Sequence, residues 1–513
     1  MKNSFLLKKV FPLFMVLSAG VTLAQAATVY EYRVPLKGLT ITPLAENEGE
    51  TPSAPDSVVL ALRGEDLPQG TVGLLYPVFD FKSLLTLTGG NPLPPLSAVS
   101  WEVSGALPPG LSLDESTGVL SGVPTVKNET GASFEIVATY QDAKGRQVFT
   151  IIVDGVTLDA TQLSAGTLHT CAITTTGGVK CWGFNDQGQL GDGSTDSKFR
   201  PTDVYGLSGS VVAISAGNRH TCAITATGGV VCWGQNNYGQ LGDGTTTRRT
   251  TPVAVSGLSG SVASVSAGSG NTCVVTSAGA AMCWGYNYYG QLGNGTTTNQ
   301  STPTLVSGLS SGVSSISAKS DGHTCAVTQA GGVKCWGWQG DGRLGNGNVA
   351  GVSVSSPVQV SGLESGVKSV SVGNAHTCAV TTAGAAMCWG YNYTGQLGDN
   401  SKTSRATPVV VSGLGASVSS ISASVNYTCA VHDGAAKCWG GGGSYQLGTG
   451  WTIDIPSPML VTGLGSGVTQ ISTGSTFACA THNDVLKCWG TGAQGQIGDG
   501  STGSRPAPTE VQF

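Results

Sequence analysis

The sequence predicts an all-β chain, a seven-bladed β-propeller preceded by a small β-sandwich, and three observations carry that expectation. The fourteen cysteines fall into seven pairs whose first members recur every 50 to 53 residues. Each second cysteine is followed at once by Trp-Gly, then by a turn and a Gln-Leu-Gly-like segment, as in "CWGFNDQGQLGDG" and "CWGQNNYGQLGDG". Between these segments lie two further alternating runs around a Gly-rich turn, as in "TPVAVSGLSGSVASVSAG". Each unit therefore holds about four short strands and no helical pattern, and tandem units of this kind build propeller blades. The composition agrees, since 77 glycines and only 11% charged residues suit short strands and tight turns.

In chain order, residues 1–26 read as a secretory signal peptide. Lys2, Lys8 and Lys9 precede an apolar run from Val10 to about Ala24, and Ala24-Gln25-Ala26 is a small-x-small cleavage site, so the expected mature start is Ala27. The run contains Pro12, Ser18 and Gly20 and is short for a membrane anchor. No later stretch is apolar enough to cross a bilayer, so no transmembrane segment is expected in the mature chain. Residues 27–70 hold a possible strand, "YEYRVPL", and an acidic, proline-containing linker, "AENEGETPSAPDS".

Residues 71–155 alternate like short strands. Pro108-Pro109-Gly110 and Gly118 act as turn residues, Ala143-Lys144-Gly145 as a hairpin tip, and Trp101 as a core residue. The stretch "WEVSGALPPGLSLDESTGVLSGVPT" followed by "SFEIVATYQDAKGRQVFTIIV" resembles the immunoglobulin-like, cadherin-like modules of bacterial surface proteins, which implies a β-sandwich. By analogy with cadherin-like modules, Asp114, Glu115, Asp142 and Asp154 are the calcium candidates. No other metal or cofactor is expected.

Residues 156–513 hold the seven repeats, and turn chemistry pairs the cysteines within each one. In "CAITTTGGVKC", opposed Cys171 and Cys181 leave the three-residue loop Thr175-Thr176-Gly177, whose last position favours Gly. Gly228, Gly279, Gly331 and Gly384 fall at the same place. The last two pairs are one residue closer, and their loops become Asp433-Gly434 and Asn483-Asp484, which suit the mirror-image two-residue turn. The expected bridges are Cys171–Cys181, Cys222–Cys232, Cys273–Cys283, Cys325–Cys335, Cys378–Cys388, Cys429–Cys438 and Cys479–Cys488. An even cysteine count in an exported chain is the right setting for them, and the spacing is too wide for a paired-cysteine zinc site. The last residues, "SRPAPTEVQF", match the segment that leaves the first repeat, so Thr509–Phe513 is expected to join the blade containing Thr157–Ala165 and clasp the ring.

The segment "AGNRHTCAITATGGVVCWGQNNYGQLGDG" resembles the repeat of the regulator of chromosome condensation family, and the pattern recurs over residues 156–513. The eukaryotic namesake promotes nucleotide exchange on a small GTPase and binds chromatin, whereas secreted bacterial relatives include an inhibitor that binds its target through one face. Residues 156–513 carry 15 basic and 15 acidic side chains, and residues 27–155 carry 7 and 15. With no positive field over the repeats, nucleic-acid binding is not expected.

His169, His220, His323 and His376 share one repeat position, read as structural and not as a metal cluster. Asp192, Asp243, Asn294, Asn346, Asp399 and Asp499 read as turn residues that bond their own backbone. Ser310 in "GLSSG" and the Gly-rich "WGGGGSYQLG" stay in repeat register and read as turns; no catalytic residue is assigned. The informative positions vary within the loop after each Trp-Gly. Phe184, Tyr238, Tyr286, Tyr289, Trp338, Tyr391, Tyr393 and Trp451, with Arg248 and Arg249, are the candidate contact residues. The resulting expectation is a monomeric, non-catalytic scaffold, secreted or periplasmic, that binds a protein or a glycan through one aromatic face. Its rivals are a polysaccharide- or cell-wall-active enzyme, which needs two acids ~5–10 Å apart, and a structural surface spacer.

Overall fold

The computed structural model describes residues 57–512 except 91, 127, 155–159, 210, 320 and 321. The expected leader, its cleavage site near Ala26 and the segment 27–56 lie outside these residues. Among the described residues, no helix is long and apolar enough to cross a membrane.

The N-terminal part contains nine strands: β1 (Val59–Leu62), β2 (Gly70–Thr71), β3 (Phe79–Asp80), β4 (Leu85–Thr88), β5 (Ser100–Ser104), β6 (Leu111–Asp114), β7 (Val119–Gly122), β8 (Asn128–Tyr140) and β9 (Ala143–Asp154). They form sheets ordered β2-β9-β8-β5, β3-β7-β6 and β1-β4 around one apolar core that includes Tyr76, Phe81, Trp101, Leu120, Phe134 and Phe149. The period-two pattern is visible at β5, where Trp101 is buried between exposed Ser100 and Glu102. Gly118 passes under the Trp101 indole in the left-handed region, where a Cβ would stand 2.6 Å from the ring.

Two expectations for this region need correction. The chain enters the core before residue 71: β1 pairs with β4, and Leu60, Leu62 and Leu67 are buried there, because the alternation in "VLAL" gives β1 an apolar face. The hairpin tip is Gln141-Asp142, not Ala143-Lys144-Gly145, since Thr139 pairs with Lys144 and Ala138 with Gly145. Gly145 instead lets β1 approach, as a Cβ there would lie 3.1 Å from the Leu60 carbonyl oxygen.

Residues 160–510 form seven consecutive four-stranded antiparallel sheets, a propeller. The first comprises Ala160–Ala165, His169–Thr174, Val179–Gly183 and Lys198–Asp203. Each cysteine pair is directly opposed across the second and third strands and bridged as expected, with Cα atoms 4.0–4.1 Å apart. The turns follow the glycine logic: Gly177 has φ +78°, and the shortened loops put Asp433, Gly434, Asn483 and Asp484 all at positive φ.

The same hydrogen bonds recur at every seam between sheets. A serine hydroxyl on each innermost strand accepts from a backbone N–H of the next sheet, from Ser164 to Ala216 and on through Ser215, Ser266, Ser317, Ser371 and Ser422. Ser472 completes the series by accepting from Ala165, so the seventh sheet meets the first as every other pair meets. The tryptophan after each second cysteine donates Nε1 to a carbonyl of the preceding sheet, Trp182 to Gln496 and Trp233 to Gln189 among them.

The expected C-terminal clasp is not formed. Arg505–Glu510 pairs with Val485–Gly490 as the outermost strand of the seventh sheet. The first sheet already takes its fourth strand from its own repeat, Lys198–Asp203, leaving no strand position to fill. Side chains close the ring instead, and Val511 packs in one cluster with Leu163 and Trp182.

Candidate interaction face

In an antiparallel meander, the turn between the first two strands and the loop between the last two leave from the same end. The inner turns around the channel and the loops after each Trp-Gly therefore share one face of the propeller. Contacts between the two sets confirm this. The Phe184 N–H donates to the Leu168 carbonyl, and Gly270 sits against Tyr238 and Tyr286.

The outer loops of the first, second, third and fifth sheets are each built on a buried asparagine. The Asn236 amide donates to Asp243, to the carbonyls of Thr245 and Thr247 and to the Thr245 hydroxyl, while its Oδ1 accepts from Leu241 at 2.9 Å. Asn185, Asn287 and Asn392 repeat the pattern. The turn acids bond their own backbone as expected: Asp243 Oδ1 accepts from the Thr245 N–H. Burial pushes the Asp243 carboxyl up, but hydrogen bonds from Thr245, Arg249 and Asn236 outweigh it and leave its pKa below the usual range. The loops are thus fixed supports, and the residues that vary stand on them.

On these supports the aromatic candidates form a continuous run across three consecutive sheets. Ring centroids lie 4.7 Å apart for Tyr238–Tyr286, 6.4 Å for Tyr286–Tyr289 and 5.3 Å for Tyr289–Trp338. Tyr288 stacks beside Tyr286 at 6.4 Å and is 66% exposed. Tyr238 is 41% exposed, while Tyr286, Tyr289 and Trp338 are half-buried, Trp338 against Gly322, Gly340 and Gly351. On the fifth sheet, Tyr391 and Tyr393 form a pair at 4.6 Å. Phe184, on the first sheet, lies under the Arg219 guanidinium at 5.6 Å.

Other candidates stand elsewhere or do other work. Trp451 is 56% exposed on the sixth sheet, beside exposed Ile453, and has no ring partner among the described residues. Arg249 is committed to the Asp243 carboxylate at 2.8 Å. Arg248 is exposed and donates to the Asp186 carbonyl of the preceding sheet. Tyr445 takes a place that is glycine in the other repeats and holds φ +61°, a strained conformation for a bulky residue.

The four repeated histidines are buried and structural, but they bond across seams and not within a blade. Nε2 of His169, His220, His323 and His376 meets the hydroxyl of Thr221, Thr272, Thr377 and Thr428 respectively, each on the next sheet, at 2.8–2.9 Å. Burial pushes their pKa values down, to about 3 for His169 and His376 and about 4 for His220, with His323 well below its ordinary value. In place of histidine, Asn271 leaves its buried amide without a partner, and Phe477 offers only ring contact.

Among the described residues, no three His, Cys, Asp or Glu side chains gather as metal ligands. The calcium candidate Asp114 closes a turn by accepting from the N–H and hydroxyl of Ser116 and from the Thr117 N–H. The Ser116 hydroxyl leads in holding its pKa down at about 2. Glu115 and Asp142 are exposed, and the Asp154 side chain lies outside the described residues.

Sequence reasoning missed three residues on this face. Arg219 bridges to Asp186 at 2.6 Å. Arg343 replaces the loop glutamine and donates to Gly340, Asp341 and the Asn374 carbonyl. Lys319 stands at the channel mouth. Its signal in the sequence is a lysine where five repeats have glycine, in a turn one residue longer than the others.

Comparison with known proteins fits this architecture. The profile described as "Regulator of chromosome condensation (RCC1) repeat" matches residues 176–224, 227–275, 279–327, 330–380, 384–431 and 433–481. An Ig domain profile matches residues 85–154. The Ultraviolet-B receptor UVR8 of Arabidopsis thaliana is 36% identical over 271 residues, 51% of this chain and 61% of the receptor. The human E3 ubiquitin-protein ligase HERC2 is 32% identical over 275 residues, 52% of this chain and 6% of the ligase. The chain thus spans less than two thirds of either relative. Among solved structures, human WBSCR16 superposes with a TM-score of 0.55 at 22% identity, covering 66% of this chain and 89% of that one. Yeast RCC1 (Prp20) bound to Kap60 gives 0.58 at 21% identity, covering 65% and 83%. At these identities the structures establish the propeller fold alone.

Proposed function

The chain belongs to the regulator of chromosome condensation repeat family, and on that premise we propose that it is a non-catalytic scaffold that binds a protein partner through the aromatic face. In this reading the seven sheets are the blades of a seven-bladed propeller, and the N-terminal Ig-like part is a β-sandwich that spaces it. The observation that carries the proposal is the run from Tyr238 through Tyr286 and Tyr289 to Trp338, held on hydrogen-bonded loops. Rigid tyrosine and tryptophan side chains lose little conformational entropy on binding and dominate interface hot spots.

Seven bridged cysteine pairs support a partner outside the cytoplasm, since disulfides form and persist in oxidising compartments. N-terminal sequencing of the mature protein is expected to start at Ala27. The test of function is affinity capture from the producing cell's envelope and medium, using the full mature chain and its Trp338→Ala variant. A partner retained by the native chain and lost by the variant supports the reading. Equal retention by both, or none by either, overturns it.

A further inference from the structure

We propose that the propeller ring opens at one seam, between the seventh and first sheets, and that Gln470 is the latch that holds it shut. Consecutive sheets elsewhere are tethered by the chain, as Asp203 at the end of the first sheet leads on to Val211 at the start of the second. No such connector runs from the seventh sheet to the first, and the side-chain bonds between their innermost strands join residues 307 to 309 apart in sequence. A tethered seam parts only as far as its short connector allows and re-forms as an intramolecular step. An untethered one must be brought back around the whole ring.

This seam carries bonds that most others lack. The innermost strand of a sheet has one free edge, on which backbone groups of every second residue point outward. Ser472 accepts from the Ala165 N–H, the bond that recurs around the ring. Two residues earlier, on the same face of its strand, stands Gln470. Its Oε1 accepts from the Leu163 N–H at 3.1 Å, and its Nε2 donates to the Thr161 carbonyl at 2.6 Å. Thr161, Leu163 and Ala165 alternate as edge residues do, so the two side chains stand in for a paired strand.

The equivalent positions hold, in chain order, Gln162, Ala213, Ser264, Ser315, Ser369, Ser420 and Gln470. The hydroxyls of Ser264, Ser315 and Ser420 make no hydrogen bond among the described residues. Gln162 accepts from the Ile214 N–H at 2.9 Å, across the seam to the second sheet. The two glutamines thus flank the first sheet and fix its innermost strand from both sides. That strand, Ala160–Ala165, is the one that receives the chain from the N-terminal part, so a pull from that part reaches it first. The latch also stands where another link is missing. Phe477 occupies the position from which a histidine of four other sheets bonds the next sheet, and its ring makes no hydrogen bond.

The test is native-state hydrogen exchange of the full mature chain, resolved to single residues by fragmentation in the mass spectrometer, because local opening sets the exchange of the amides it exposes. The informative amides are those bonded across this seam away from Gln470: Gly500, which donates to the Phe199 carbonyl, and Ser475, which donates to the Thr167 carbonyl. Gly244, bonded to the Ser301 carbonyl at a tethered seam, is the control. Gln470→Ser installs the residue that the third to sixth sheets carry there. We expect it to speed exchange at Gly500 and Ser475 by about tenfold, as for the loss of one to two hydrogen bonds, with Gly244 unchanged. Ser420→Ala should change none of the three. Faster exchange at Leu163 alone overturns the proposal, since Gln470 then caps one amide and latches nothing. Native-like exchange overturns it as well, and so does an equal rise at Gly244, which marks a general loosening. Gln470→Glu keeps the acceptor for Leu163 but loses the donor to Thr161. If Gln470→Ser does not fold, Gln470→Glu is judged by the same outcomes.

Discussion

The N-terminal part and the propeller solve the same problem of stabilising short strands by different means. The first has no cysteine and no histidine among residues 57–154 and relies on one core centred on Phe81, Trp101 and Phe149. The second divides its apolar residues into smaller clusters along the ring and adds a covalent bridge and a set of buried polar bonds at each step. A sheet packed only against its neighbours cannot collect a large core, so linkages repeated at each step take its place.

This contrast can be broken experimentally, beginning with the strongest lever. Each bridge closes a loop of about ten residues, worth roughly 2–3 kcal/mol in the chain-entropy model. Calorimetry with and without a reductant should therefore show the propeller transition collapse while the N-terminal transition stays in place. A common shift of both would mean that the two parts do not unfold separately.

Acid is the next lever. Unfolded histidines protonate near pH 6.5, but burial holds His220 down to about 4, His169 and His376 to about 3, and His323 well below its ordinary value. Below pH 6.5 the unfolded chain thus binds protons that the native chain does not, and stability falls with pH. The slope approaches ~1.4 kcal/mol per pH unit for each histidine. Between pH 6.5 and 5 the propeller midpoint should drop by several degrees, and the histidine-free part should hold.

The reverse pattern is expected from Trp101→Ala. Emptying that core position should cost ~3–5 kcal/mol and move only the N-terminal transition in the same calorimeter. The mildest change is Thr221→Val, which leaves His169 Nε2 and the Gln189 carbonyl without their hydroxyl partner. A loss of ~1–3 kcal/mol in the propeller transition is expected. Hydrogen exchange should place the loosening at the seam between the first two sheets.

Much of the fold was legible because it is local. Cys171 and Cys181 are ten residues apart, and the glycine of their turn sits where the loop length demands it, so spacing alone implied the bridge. The strand count per repeat was legible for the same reason. What could not be read was non-local. The His169–Thr221 bond joins different repeats, and nothing in either repeat names the other. The C-terminal segment resembled an exit strand but gave no sign of which sheet would receive it. On the candidate face, the aromatic positions were legible from their place in the loop, whereas their contact order depended on neighbouring sheets. Lys319 was hidden because a lone lysine in a repeat resembles ordinary surface variation. Its partner, Thr473, lies 154 residues away.

The brevity of the cysteine loops bears on how the chain is made. Each thiol's native mate is the nearest one along the backbone, nine or ten positions away. A polypeptide that emerges N-terminus first into an oxidising space exposes each couple together, well before the following couple arrives. Oxidation in that order joins correct mates from the outset, and the finished wheel needs little reshuffling of its sulfurs.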